Sequence, residues 1–271
     1  MKLNFGCGKR YASGWVNIDF HSENPEVKRV NLLEPLPFSD DTFTAVYSSH
    51  TLEHFSQETT ERILKECRRV MKPGGIVRIV LPDLENTCRE YIRILDEVDR
   101  SELARAQYNW IVLELLDQLT RTKPSGLMDE FKQELQRKGD QRMLEYVQSR
   151  TDTAPMFASR PLSFKQKLQK LTPAKLKNKL IYAYVEAVKG LFPRSLREAI
   201  LDETKIGEKH RWMYDRYSLK LLLERCGFVE VKLLNATTSE IPDFDKDYLD
   251  IERDGRVYKP GSLFCEAHKP G

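Results

Sequence analysis

The residues of this 271-residue chain able to do chemistry fall in a few short stretches. Near the start, Leu3-Asn4-Phe5 runs into Gly6-Cys7-Gly8, and Val16-Asn17-Ile18 ends in Asp19. A Gly-x-Gly turn lets backbone approach a ligand with no Cβ in between. A carboxylate at the end of the next strand can accept hydrogen bonds from a ribose. Together these features read as a nucleotide clamp. It is not the dinucleotide kind, which needs a third glycine and an acid about 20 residues further on. Here Tyr11 stands at the third glycine position and Asp19 comes too early. No Gly-Lys-Ser/Thr follows the turn, so a phosphate-cradling P-loop is excluded as well.

A second reactive group comprises His50, Glu53, His54 and His210. Histidine accepts and releases protons near neutral pH, which makes His50 and His210 the candidate general bases. His54 is expected to anchor its loop to the helix that follows. The spacing His50-x-x-Glu53-His54 also matches the inverted zincin motif, whose two histidines bind zinc from one helix while the glutamate acts as base. The motif starts directly off a strand and has no evident third ligand. A zinc peptidase is therefore the remote reading, and no metal ligand is assigned.

The elements that must hold these residues alternate. Ala45-Val46-Tyr47-Ser48-Ser49 reads as an apolar strand, and the turn-rich segment Leu36 to Phe43 precedes it. A helix is predicted over roughly Glu58 to Met71, with Ile63, Leu64, Cys67, Val70 and Met71 at helical spacing. Lys72-Pro73-Gly74-Gly75 stops it. Ile76 to Leu81 is nearly continuous in apolar residues, as in a central parallel strand covered on both faces. Farther on, Asp215 is expected to cap a helix running to about Cys226, and Gly227 to end it. Val229–Leu233 and Leu263–His268 read as closing antiparallel strands. The excursion at 235–260 is acidic and aromatic, and reads as a further pocket wall or a solvated loop. This is the alternation of a doubly wound α/β fold.

With these residues in hand, the chain resembles class I S-adenosylmethionine-dependent methyltransferases, in the branch similar to methyltransferase type 11. The resemblance is carried by Asn4 to Gly8, Trp15 to Asp19, Leu52-Glu53-His54, Lys72 to Gly75 and Pro82-Asp83-Leu84. It implies a Rossmann-like seven-stranded sheet and S-adenosylmethionine as cofactor, with S-adenosylhomocysteine as product. The implied cofactor residues are Phe5, Gly6, Cys7, Gly8, Asp19, Phe20, Asn31, Leu32, Ser48 and Ser49. Asp19 would take the ribose hydroxyls, and Asn31 the adenine amino group. The short stretch between Gly8 and Asp19 leaves room only for a stunted first helix. Glu114 to Gln118 and His210 to Asp215 also look like family segments, and Asp117, Arg121, Arg211, Trp212 and Tyr214 are taken from these regions as substrate candidates.

The resemblance divides the chain into a cofactor half (1–85), a helical insertion (86–208) and a closing part (209–271). The insertion reads as a lid carrying substrate selectivity, or else as a packing or dimerisation element. One helix is predicted over Leu127 to Gln148. Residues 160–197 hold ten Lys or Arg against Glu186 alone, within a chain of net charge +3. The stretch from Leu176 to Phe192 is amphipathic and basic, which suits an anionic membrane surface, an acidic ligand or simply a solvated back on a core helix. No base-stacking module accompanies it, so nucleic acid is not an expected partner.

Five cysteines without a Cys-x-x-Cys pair read as reduced thiols. With no apolar run long enough for a span and no leader before the first strand, a cytoplasmic location is expected, peripheral at the inner membrane face if the basic stretch binds lipid. The expected reaction is in-line methyl transfer, in which positioning alone supplies about 7–11 kcal/mol. An oxygen acceptor also needs a base, worth roughly 10²–10⁴-fold. O-methylation of a saccharide hydroxyl is the leading expectation, with a carboxylate on a peptide or small molecule as the alternative. A cofactor-binding regulator without turnover is the remaining one.

Overall fold

Seven strands form one sheet in the computed structural model, which describes residues 1–122, 125–151, 184, 188, 193 and 208–271. They are β1 (Lys2–Phe5), β2 (Trp15–Asp19), β3 (Val27–Arg29), β4 (Phe43–Ser49), β5 (Met71–Pro82), β6 (Val229–Leu234) and β7 (Ser262–His268). Their order is β3-β2-β1-β4-β5-β7-β6. The first five run parallel, and β7 is antiparallel to both of its neighbours. The chain leaves β1 in one direction toward β3, then returns to build β4 and β5 on the other side. The switch point therefore lies between β1 and β4, where open α/β sheets bind ligands.

Period-two alternation sorts the strand residues into two layers. Leu3, Phe5, Val46, Val77, Ile79 and Leu81 face one layer, which holds α1 (Gln57–Val70) and a second helix over Arg216–Arg225. The predicted face of α1, with Ile63, Leu64, Cys67 and Val70, is fully buried there. The Lys72–Gly75 turn is a bulge inside β5, seen as a register shift between Phe43 and Ala45.

The other layer departs from expectation. No helix joins β1 to β2 or β2 to β3, so the stunted first helix does not form. With Gly6 and Gly8 at positive φ, the short connection has no helical run to build on. Trp15, Tyr47, Ile76, Val80 and Phe264 are instead covered by Ala236, Ile241, Phe244 and Leu249 from the 235–260 excursion. Ala236, Ile241, Phe244, Leu249 and Asp250 of that excursion are core, while Tyr258 and Lys259 near its end line a cavity, as the pocket-wall reading expects. The anchor of the excursion is Arg78, fully buried in β5. Arg78 donates to Asp250 at 2.7 Å and Glu266 at 2.8 Å, and to the carbonyls of Asn235 and Thr238. Phe244 and Phe264 flank its guanidinium at 4.8 and 5.6 Å. Tyr47 Oη donates to Asp250 at 2.6 Å.

After β5 come α2 (Leu84–Glu97), α3 (Glu102–Thr120), α4 (Gly126–Lys138) and α5 (Gln141–Thr151). The single helix expected over Leu127–Gln148 is two, because Gly139 turns left-handed and the Asp140 carboxylate starts α5 by accepting from Met143 N. Trp110, Met128, Leu135, Met143, Leu144 and Val147 give these helices a core of their own. The basic segment 160–197 and its amphipathic stretch fall outside the described residues, save for isolated positions. The Arg216–Arg225 helix, α6, starts at Asp215 through a capping box with Ser218 and stops before Gly227, as predicted. All five cysteines are free. Among the described residues no helix is long and apolar enough to cross a membrane.

Candidate active site

The ends of β1 and β4 open side by side. Gly6 (φ +62°) and Gly8 (φ +52°) both occupy the left-handed region, which costs glycine nothing. A Cβ on Gly6 would come within 2.3 Å of Thr51 Oγ1, whereas a Cβ on Gly8 would meet nothing within 4 Å. Gly6 thus locks the turn against the loop after β4, and Gly8 forms an open ledge. The Asp19 carboxylate is fixed beside that ledge: Oδ2 accepts from Gly8 N at 2.8 Å and Oδ1 from His21 N at 3.0 Å. A cavity of about 260 Å³ opens there, lined by Asn4, Gly6 to Arg10, Tyr47, Ser49, His50, Tyr258 and Lys259.

The remaining expected cofactor residues divide by position. Phe20 is 52% exposed, and Phe5, Leu32 and Ser48 are buried; none of the four lines the cavity. Burial pushes the Cys7 thiol up to about 12, so it lines the wall as a small apolar group rather than a nucleophile. Asn31 Oδ1 accepts from Leu33 N at 3.1 Å, an Asx turn that occupies its oxygen.

A second cavity of about 240 Å³ lies between β5, α3 and the start of β7, lined by Thr87, Glu114, Gln118, Lys132, Arg150, His210 and Met213 among others. The two cavities have His50 and Lys259 in common. His50 stands at the junction in a left-handed conformation, φ +50°, rare for a non-glycine residue. Its N–H donates to Val80 O at 2.9 Å, and its Nε2 lies 2.8 Å from Ser262 Oγ. Burial holds the imidazole well below its ordinary range, so it is neutral at pH 7.

This sheet order, with an antiparallel seventh strand and a glycine ledge beside an acid at the switch point, agrees with the comparison to known proteins. Residues 3–79 match the family model described as a methyltransferase domain. Residues 3–79 thus carry the signature of a methyltransferase domain. Such a domain implies S-adenosylmethionine as cofactor, and the open ledge, the Asp19 carboxylate and the adjoining cavity are the parts that would hold it. Similar solved structures include a SAM-dependent methyltransferase from Archaeoglobus fulgidus, 14% identical over 99% of this chain and 85% of that one, with a TM-score of 0.39. Another is a SAM-dependent methyltransferase from Methanosarcina mazei, 16% identical over 99% of this chain and 92% of that one, also with a TM-score of 0.39. No curated protein matches the chain.

The reactive residues converge further than the sequence implies. Arg211 N and Trp212 N both donate to Glu53 O, which clips the segment after the insertion onto the 3-10 turn Leu52–His54. His210 arrives beside that turn. Glu53 is 1% exposed, and neither carboxylate oxygen has a hydrogen-bond partner. Its Oε1 lies 3.6 Å from His50 Nδ1, 3.9 Å from His54 Nε2 and 4.0 Å from His210 Nε2. Burial lowers all three imidazoles, His210 to about 3, and raises Glu53 to about 7. With the rings neutral, these contacts are not ion pairs. The zincin reading needs both motif histidines on one helix, but His50 sits in a left-handed turn ahead of the 3-10 turn that holds His54. His210 supplies the third nitrogen or oxygen donor that the local sequence lacks.

The expected substrate residues largely serve structure. Asp117 pairs with Arg121 and accepts from Leu127 N at 2.7 Å, fastening α3 to the start of α4. Tyr214 is 2% exposed in the main core. Arg211 and Trp212 act through their backbone, and neither lines the two cavities described, although Trp212 is 43% exposed. Ser262 and Arg150 were not anticipated, and Glu114 and Lys259 were expected only as parts of a family segment and a pocket wall. Glu114 and Arg150 pair at 2.6 Å across α3 and α5; a Glu and an Arg spaced along two helices carry no local signal for that.

Proposed function

We propose that this methyltransferase O-methylates a hydroxyl of a saccharide held in the second cavity. The observation that carries this reading is His50, a neutral imidazole at the junction of the cofactor cavity and a polar second cavity. When bound, S-adenosylmethionine supplies a methyl group made electrophilic by its sulfonium. His50 takes the proton of the acceptor hydroxyl at Nε2, beside Ser262 Oγ, as the oxygen attacks. It later releases that proton to solvent. Gln118, Thr87 and Glu114 offer the hydrogen-bonding groups that a polyhydroxylated ring needs to be oriented. Asp19 holds the ribose through the lone pairs left by Gly8 and His21.

A carboxylate acceptor is the second reading, supported by Lys132, Arg150 and Lys259 in the same wall. Such an acceptor needs no base. S-adenosylhomocysteine release across saccharides and small carboxylic acids tests the choice, with mild alkali applied to the product. An ether survives the alkali and supports the saccharide reading. A product cleaved by alkali is an ester and overturns it. Tight cofactor binding without turnover on any acceptor would identify a silent regulator.

A further inference from the structure

We propose that Glu53, His54 and His210 bind one first-row divalent metal ion of the Zn²⁺ or Fe²⁺ type, which pins the chain leaving the helical insertion to the turn behind β4. One donor atom from each residue lies within 4.8 Å of the others. Around a tetrahedral ion with bonds of about 2.0–2.2 Å, neighbouring donors lie about 3.4 Å apart. The observed 3.9 and 4.0 Å from Glu53 Oε1 to the two histidine nitrogens close to that value by small side-chain shifts. Two imidazoles and a carboxylate form the donor set of hydrolytic zinc and non-haem iron sites.

Independent observations point the same way. A buried carboxylate with no partner on either oxygen is costly, and buried charges are normally paired or metal-bound. Glu53 is such a group, aimed into the cluster. His54 Nδ1 faces Lys209 O at 3.1 Å, so Nδ1–H donates there and the lone pair sits on Nε2. A backbone carbonyl on the far nitrogen is how metal-binding histidines are usually oriented. The Gln118 amide, 2.9 Å from His210 Nε2, leaves a lone pair on that nitrogen too, and must swing aside as the ion enters. Glu53 and His54 precede the insertion and His210 follows it, so the ion would close its base.

The test uses the full chain without a polyhistidine tag, dialysed against chelator and titrated separately with Zn²⁺, Co²⁺ and, under anaerobic conditions, Fe²⁺. One equivalent bound per chain is expected, with a visible Co²⁺ spectrum of nitrogen and oxygen ligation and a Tm that rises with metal concentration. Glu53→Gln and His210→Ala should each weaken binding by more than the roughly 10–100-fold that loss of an outer partner costs. His21→Ala and His268→Ala should leave it unchanged. X-ray absorption of the zinc-loaded wild type covers variants that fail to fold: two imidazoles and a carboxylate oxygen support the site, and any other shell overturns it. No bound equivalent, or binding that persists in both ligand variants, also overturns it. Cofactor calorimetry on the same samples reports the methyltransferase reading separately.

Discussion

His50 keeps a backbone conformation that costs roughly 1–3 kcal/mol for a residue with a side chain. Its bond to Val80 O and its contact with Ser262 hold it there. Strain kept at the meeting point of two cavities is what a placed base requires. His50→Gln should lower kcat by about 10²–10⁴-fold, with the calorimetric Kd for S-adenosylmethionine little changed. An unchanged kcat would place the base elsewhere. Asp19→Ala, which removes a charged acceptor at the ledge, should weaken the cofactor by about 10–100-fold, the equivalent of a charge-assisted hydrogen bond. Equilibrium binding of S-adenosylhomocysteine measures it. The places of Gly6, Gly8, Asp19 and His50 were legible in the sequence because each is local: a turn, a strand end, a loop mouth. The meeting of Glu53 with His210 was not, because only the folded path after the insertion joins them. The Asx turn at Asn31 was not legible either, since it forms only once Leu33 N is set against the side chain.

Among the helices, α6 shows how an end can be read in advance. Asp215 Oδ1 accepts from Tyr217 N and Ser218 N at 2.9 and 2.8 Å. These bonds, that from Ser218 foremost, hold the carboxyl below its usual range. A depressed carboxylate contributes stability above its unfolded value of about 3.9 and loses it as pH falls through the lower folded value. Asp215→Ala should cost about 1 kcal/mol near neutral pH. That difference should shrink once the pH drops below about 4, as urea unfolding at several pH values would show. A constant difference would mean that the cap acts without its charge. Caps and stops were readable because one residue type does each job. The break between α4 and α5 was missed because the apolar spacing continues across Gly139. The burial of Asp250 was not readable, because an acid in the 235–260 excursion looks solvated until Arg78, hidden in an apolar strand, is set opposite it.

Arg78 ties the central strand β5 to the closing segment of the chain through Asp250 and Glu266. Removing one member of a buried ion group leaves its partners charged and unpaired, so Arg78→Met should destabilise by about 3–5 kcal/mol. The denaturant midpoint reports it, and a change within 1 kcal/mol would mean that Asp250 and Glu266 find other partners. The same layer bears on how the chain comes to fold. The matched stretch 3–79 contains the cofactor mouth, yet one side of its sheet is finished only by residues 236–264. During synthesis the first five strands leave the ribosome without that cover and wait for it. At common elongation rates the wait lasts roughly 10–40 s. Nascent-chain proteolysis should find the cofactor half cleavable until the closing segment emerges, so chaperone demand in the cell is set by the final strands rather than the first.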